Sequence, residues 1–360
     1  MATSEPASPQ STLPEDAVFA VLGLVVVSSV YADGRAHILG LPDSFFTPWH
    51  AFLYGGLAVT ILWFGMMCRR AARRFAARGF AAIPAGYRYT AVGAALFAIG
   101  GVADMIWHLI FGVEFGIDAL LSPSHLLLFI GGGLLLSGPI LAFLRREDAR
   151  IPARFPALLA VIGITGVAAF ALSFLSAFIT GAPTMPITHE PEGTEAHIVA
   201  EGLASAGLGS FIVTSLVLVL PAVFLLRARA WFPGALTGLI TAVAVMASSL
   251  TGFQNPETVI AAFVSAGVLD IALVVFRRRT HERVLELLVS AGLPLLVGTG
   301  QLLAIAARHG LGWSEEMSSG VVLVSALVSF LVVLVIGWQR TTSGTPEGSR
   351  WSRAAENVSS

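Results

Sequence analysis

The sequence predicts an all-α protein, a polytopic transmembrane bundle of about ten helices. Of its 360 residues, 56% are hydrophobic and 12% are charged, which is about half the charged share of a soluble domain. Apolar runs of about 20 residues recur along the chain, and a helix needs this length to cross a bilayer. Because the runs are continuous rather than alternating, they do not indicate a transmembrane β-barrel.

Each predicted helix follows one apolar run, and several begin at a recognisable start signal. Thr47-Pro48 and Ser122-Pro123 each place an N-cap residue before a proline at the first helical position. The first run does not resemble a signal peptide, because its flank is acidic and no convincing small-residue cleavage site follows it. In order, the helices are predicted at 17–36, 48–68, 89–111, 122–144, 156–180, 198–226, 233–251, 257–276, 285–308 and 318–338.

The arginines predict how the bundle is oriented. The chain has no lysine, and 19 of its 21 arginines fall in alternate loops or in the C-terminal tail. Cytoplasmic loops carry the excess of basic residues. The sequence therefore predicts a multi-pass protein of the cell membrane with both termini in the cytoplasm, and only Arg35 and Arg308 then face outward. The inner arginines lie at 69–88, 145–154, 227–229, 277–283 and 340–353.

Composition also sets the domain limits and excludes some functions. Residues 1–16 and 341–360 are rich in Ser, Pro, Glu and Gly, and they are predicted to be disordered cytoplasmic tails around a transmembrane bundle at 17–340. A single cysteine, Cys68, excludes a disulfide framework and a CxxC metal motif. A pI of about 6.7 gives no reason to expect a nucleic-acid partner.

One constellation of Asp and His occurs twice on the predicted outer face. In each copy an Asp and a His four residues apart end one helix, and this spacing places both on the same helix face. A second His lies in the first turn of the next helix, after a proline. The sequence therefore predicts an internal duplication of helical hairpins at 17–68 and 89–144. The residues are Asp33, His37 and His50 in the first copy, and Asp104, His108 and His125 in the second.

These residue types indicate a metal site. Two imidazoles and one carboxylate are a common ligand set for Zn, Cu and non-haem Fe. If the two hairpins pack side by side, all six side chains converge on one pocket, with Asp43 and Asp118 in the adjoining loops. That pocket would hold two neighbouring metals, or one metal with the Asp pair outside its ligand shell. One alternative is a structural network of hydrogen-bonded Asp–His pairs, which predicts that the clusters of the two hairpins lie well apart. The other is a proton or substrate pathway.

The first copy reads Asp-x3-His-x12-His, and this spacing resembles the metal triad in the C subunit of the copper membrane monooxygenases. The resemblance implies that Asp33, His37 and His50 bind copper and that partner subunits are present. The second copy has sixteen residues between its His residues instead of twelve. The whole chain also resembles an uncharacterised family of bacterial and archaeal polytopic membrane proteins, through the stretches FFTPWHAFLYGG and SPSHLLLF.

The sequence therefore predicts a membrane protein with an outward-facing metal site. Copper is the metal expected first, followed by zinc or iron, and oxidoreductase activity is one expected function. A proton- or metal-coupled transporter is an alternative, although a transporter spreads ionisable residues through the bilayer depth. A haem protein using His37 and His108 and a zinc-dependent intramembrane hydrolase are the others. Beyond the two copies, the loop with His189, His197 and Glu201 offers further ligand-type groups. Asp270 and Glu286 are expected to pair with nearby arginines.

Overall fold

The protein is a bundle of α-helices in the computed structural model, which describes residues 9–41, 47–112, 116–147, 150–188 and 190–342. No strand occurs in this part of the chain, and the all-α fold class is confirmed. Within it, nine helices are long and apolar enough to span a bilayer, and a tenth apolar helix is shorter. The protein is therefore a multi-pass membrane protein. Side chains are described as far as Gly337.

All ten predicted helices are present, with shifted ends. The first begins at Leu13, four residues before its predicted start, because Thr12 and Glu15 form a capping box there. The fourth is interrupted at Ser137, just before Gly138 and Pro139, and forms two segments. The helices are α1 (Leu13–Ile38), α2 (Pro48–Phe75), α3 (Arg88–Phe111), α4 (Ile117–Leu121), α5 (Pro123–Leu136), α6 (Gly138–Phe143), α7 (Ile151–Ala171), α8 (Glu195–Arg227), α9 (Ala235–Leu250), α10 (Pro256–Phe276), α11 (Glu282–His309) and α12 (Glu315–Thr342).

Helix α7 lies at the centre of the bundle and is the most buried of the long helices. It packs against α1, α5, α6, α8 and α9, whereas α2 packs mainly on α1 and α3 mainly on α5. The second half of the chain continues the bundle through contacts of α9 with α10, of α10 with α11, and among α8, α11 and α12. Helices α2 and α3 are therefore peripheral and expose most of their apolar surface to lipid.

Helices α3 and α5 approach each other closely because two glycines face the opposite backbone. A Cβ on Gly131 would lie 2.7 Å from the backbone nitrogen of Phe97, and one on Gly93 would collide with the backbone of Leu135. Small residues allow this kind of backbone contact between transmembrane helices. The second His/Asp hairpin is consequently a tightly joined pair of helices.

Buried ion pairs fix the arginine-rich end of the bundle. Asp16, at the start of α1, accepts hydrogen bonds from the Tyr87 hydroxyl at 2.8 Å and from Arg146 at 2.6 Å. Burial raises the pKa of the Tyr87 phenol well above its ordinary value, and the neighbouring Asp16 carboxylate acts in the same direction. Tyr87 therefore remains a hydrogen-bond donor that joins the start of α3 to α1.

Asp270 and Glu286 were expected to pair with nearby arginines, and this expectation is confirmed for Glu286. Glu286 lies 3.5 Å from Arg283, and it also pairs with Arg227 of α8 at 2.8 Å. For Asp270 the expectation is wrong, because its carboxylate accepts hydrogen bonds from Trp231 Nε1 and from the backbone and side chain of Thr237. These donors satisfy the buried carboxylate without an arginine.

Candidate metal centres

The repeated Asp and His residues lie at one end of the bundle, where α1 and α3 end and α2 and α5 begin. We call this the His/Asp end. Within the described residues, two groups of three side chains there each place one ligand atom per residue within 4.8 Å of the others. Triad 1 consists of Asp33, His37 and His50, and triad 2 consists of Asp104, His108 and His125.

In triad 1, the Asp33 carboxylate faces both imidazoles. Its Oδ2 lies 3.7 Å from His37 Nε2, and its Oδ1 lies 3.2 Å from His50 Nε2. The side chains of Asp33 and His50 are 17% and 15% exposed, whereas His37 is 39% exposed. The triad is therefore open on the His37 side.

Triad 2 repeats this arrangement atom by atom. Asp104 Oδ2 lies 3.4 Å from His108 Nε2, and Asp104 Oδ1 lies 3.5 Å from His125 Nε2. The two imidazole centroids are 6.1 Å apart, compared with 6.3 Å in triad 1. The second His of each triad also contacts the aromatic ring four residues later, which is Tyr54 in triad 1 and Phe129 in triad 2.

The local sequence explains why both triads form. Residues at i and i+4 of a helix lie on one face, so Asp33 and His37, like Asp104 and His108, project together from the last turns of α1 and α3. Pro48 and Pro123 begin the following helices, and His50 and His125 stand in the first turns, as predicted. A helix end and the start of the next helix therefore meet at each carboxylate.

The carboxylate–imidazole spacing is close to the distance between two ligands of a small metal ion, and the three donor atoms of each triad lie within 4.8 Å of one another. With bonds of 2.0–2.1 Å, two ligand atoms of a tetrahedral metal lie roughly 3.3–3.4 Å apart. The four carboxylate–imidazole distances run from 3.2 to 3.7 Å, close to that edge length. Three of the four are longer than the 2.7–3.2 Å of ordinary N–H···O hydrogen bonds.

In triad 2, the Nδ1 atom of each imidazole makes a contact that fixes the orientation of the ring. His108 Nδ1 lies 3.2 Å from the carbonyl oxygen of Gly112. A carbonyl oxygen only accepts, so this Nδ1 carries the proton. His125 Nδ1 lies 2.8 Å from Ser122 Oγ, which also caps α5 by accepting from the His125 backbone N–H at 3.4 Å. Both Nε2 atoms are thereby directed at Asp104.

The Asp104 carboxylate of triad 2 is also oriented by a hydrogen bond from outside the triad. Ser124 Oγ donates to Asp104 Oδ1 at 2.9 Å. In the neutral tautomer set by Gly112, His108 presents an Nε2 lone pair to a carboxylate oxygen, and two acceptors facing each other repel. A cation between them, either a metal ion or protons on the imidazoles, removes this repulsion. The arrangement is that of ligands oriented by their outer contacts.

Triad 1 has different outer contacts. Thr47 stands where Ser122 stands in the other hairpin, yet its hydroxyl does not cap α2 and has no hydrogen-bond partner among the described residues. Trp49 takes the place of Ser124. Sequence reasoning identified Thr47 and Ser122 only as helix starts. A hydroxyl three residues before the His and one before a proline is the signal in the sequence for the contact of Ser122 with an imidazole, but Thr47 has the same spacing and its hydroxyl makes no hydrogen bond within the described residues.

The other ligand-type residues lie apart from the triads or outside the described part of the chain. Asp43 and His189 are not among the described residues. Asp118 is in the first turn of α4 and belongs to neither triad. His197 and Glu201 lie in the first turns of α8, and within the described residues they complete no group of three ligands.

The six ligand-type residues form two groups, so the expectation of one shared cluster is wrong, and two separate clusters of Asp–His pairs are what the structural-network alternative predicts. Helix α7 is the reason, because its Phe170 contacts Tyr31 of α1 at 5.1 Å and Phe129 of α5 at 6.1 Å between ring centroids. Phe129 in turn contacts the His125 ring. At the His/Asp end, aromatic packing thus connects the two hairpins. His37 and His108 consequently belong to different triads and face different carboxylates.

Comparison with protein-family models, with curated proteins and with solved structures finds no match for this chain. The resemblance to the copper membrane monooxygenases therefore has no support from these comparisons. The candidate centres rest on the geometry of the two triads.

Proposed function

We propose that this protein binds a transition metal at each triad, and that the His/Asp end is its functional face. The observation that carries the proposal is the geometry of triad 2, where two imidazoles with anchored Nδ1 atoms direct Nε2 at the two oxygens of one carboxylate. A metal ion between His108 Nε2 and the Asp104 carboxylate would remove the repulsion between these two acceptors. Triad 1 supports the proposal through the same Asp–His distances.

Copper is the first metal we propose, on the sole basis that the Asp-x3-His-x12-His spacing resembles the triad of the copper membrane monooxygenases, followed by zinc or iron. Imidazole suits all three, and a set of two His and one carboxylate is known for zinc and for non-haem iron. Three protein ligands leave coordination positions open, which is typical of catalytic rather than structural metal sites. The function that fits best is an oxidoreductase in the membrane, in which the bound metal would supply the redox chemistry.

The chain's own residues have separate tasks in this proposal. The imidazoles of His108 and His125 would ligate through Nε2, and Asp104 would supply one carboxylate oxygen or compensate the charge. The Gly112 carbonyl sets the tautomer of His108 because it can only accept a hydrogen bond, and Ser122 holds the orientation of the His125 ring by contacting its Nδ1 atom. In triad 1, Asp33, His37 and His50 would bind in the same way, with His37 on the more exposed side.

Two further expectations belong to the same proposal. The matching distances and ring contacts of the hairpins support an internal duplication of the segments 17–68 and 89–144. The distribution of arginines supports an orientation with both termini in the cytoplasm, which places the His/Asp end on the outer side of the cell membrane. Partner subunits are part of the copper-monooxygenase resemblance and have no other support.

Metal analysis of the purified protein tests the proposal. We expect up to two metal ions per chain, with His37→Ala lowering the content through triad 1 and His125→Ala through triad 2. His309→Ala is the matched control, since His309 lies at the same end but pairs with Glu257 at 3.2 Å. Folding is checked by size-exclusion chromatography and circular dichroism.

The alternative is a polar network that holds the hairpins together without metal. It predicts that His37→Ala and His125→Ala leave the metal content unchanged in a folded protein, and this result would refute the metal proposal. A visible absorption spectrum of the purified protein separates a bare metal from haem. A Soret band would favour the haem alternative.

A further inference from the structure

An apolar groove runs along the lipid-facing side of α1 and ends beside triad 1. Its volume is about 620 Å³, within the range of sites that hold one small ligand. The walls come from α1, from the start of α2, and from Leu39 and Leu41 just after α1. Along α1 the lining reaches from Val21 to Arg35, about 21 Å at the helical rise per residue, and continues to Leu39.

The groove is apolar along its length, and the residues at its floor have small side chains. Val21, Leu24 and Val25 line the end that lies deep in the bilayer, while Trp49 and Phe52 form the opposite wall. Ser28 and Ala32 are small, so no side chain fills the space between the walls. Ser29 donates its hydroxyl back to the carbonyl of Val25 at 2.9 Å and offers little polarity to a ligand. A hydrocarbon chain matches this surface.

The end of the groove near triad 1 carries a fixed positive charge. Arg35 donates from one nitrogen to the carbonyl oxygen of Leu250 at 2.8 Å, which holds the guanidinium in place. Within the described chain, Arg35 has no carboxylate partner, whereas Arg308 at the same end pairs with Glu257 at 2.9 Å. A guanidinium has five N–H donors, and a carboxylate can engage two of them at once.

We propose that this groove binds a single-chain amphiphile with a carboxylate head group, a long-chain fatty acid. The chain lies along Val21 to Ala32, and the carboxylate pairs with Arg35. A second transmembrane helix is a poorer occupant, because it would bury Arg35 at an interface without a counter-ion. This binding site does not depend on a metal in the triads.

Photolabelling tests the proposal. The full-length protein in phosphatidylcholine nanodiscs, treated with EDTA, is labelled with a photoreactive long-chain fatty acid, and the labelled residues are mapped by mass spectrometry. The matching alcohol and a photoreactive phosphatidylcholine serve as comparison probes. We expect labelling between Val21 and Phe52 by the acid, competed by unlabelled fatty acid.

Two variants with matched controls separate the contributions of charge and space. Arg35→Gln should lower the affinity for the acid about tenfold, the scale of a lost charged hydrogen bond, without affecting the alcohol. Its control, Arg308→Gln, should behave like the unmodified protein. Ser28→Phe should block labelling by filling the groove, and Val102→Phe on the lipid-facing side of α3 should not.

Equal labelling by acid, alcohol and phosphatidylcholine would overturn the proposal. Labelling unaffected by both Arg35→Gln and Ser28→Phe would overturn it too, and so would crosslinks from this groove to a protein helix. Because the labelling is done on EDTA-treated protein, its outcome is independent of the metal analysis. Loss of metal in the triad variants with intact fatty-acid labelling would leave both proposals standing.

Discussion

Ser122→Ala should weaken metal binding at triad 2 far more than it weakens the fold. Ser122 Oγ lies 2.8 Å from His125 Nδ1, so its removal frees the imidazole to rotate and to change tautomer. Loss of such an outer contact typically costs 10–100-fold in metal affinity, which is about 1.4–2.8 kcal/mol. The cap to the His125 backbone is long at 3.4 Å, so its loss should cost only about 0.5 kcal/mol of stability.

The assay is a competition titration of the metal-depleted protein with zinc against a chromophoric chelator, together with a thermal denaturation curve. Thr47→Ala is the matched control, because Thr47 occupies the same place in the other hairpin but does not cap α2. We expect a tenfold or greater loss for one of two sites in Ser122→Ala and no comparable loss in Thr47→Ala. Equal affinities in both variants would refute the assignment of Ser122 as the residue that orients His125.

Three further predictions concern topology and packing. Reporter fusions after Arg74 and after Glu195 should report opposite sides of the membrane, and the same side for both would contradict the arginine-based orientation. Gly131→Leu should destabilise the protein by about 1–3 kcal/mol or more in thermal denaturation, since its Cβ would press on the α3 backbone, whereas at Gly133 a Cβ meets no atom within 4 Å and the same change should be tolerated. Arg146→Gln should cost about 3–5 kcal/mol because it removes the cation from a buried carboxylate; a shift in melting temperature no larger than that of Arg145→Gln would show that the pair contributes little.

The helices and the members of the two triads could be predicted from the sequence because both depend on local spacing. Continuous apolar runs mark the spans. The i, i+4 pair and the Pro-x-His start place Asp33, His37 and His50 at one hairpin turn, since all three lie on two consecutive helices. The same reasoning holds for the second hairpin.

Features that depend on helices distant in sequence could not be predicted. The separation of the triads follows from the position of Phe170 on α7, which the local pattern of either hairpin does not contain. Asp270 was expected to pair with an arginine because arginines follow it in sequence. Its carboxylate instead accepts from Trp231 and Thr237, whose positions are set by the packing of α9 on α10.

The tight joining of α3 to α5 through Gly93 and Gly131 has a consequence for biogenesis. Both triads lie on the first five helices of the chain, and the last of their residues is number 125 of 360. Chains fold from the N-terminus as they emerge during synthesis. The two hairpins can therefore assemble before α8 to α12 have been translated. Under the proposed metal binding, the metal would then be supplied to the nascent chain rather than to the finished bundle.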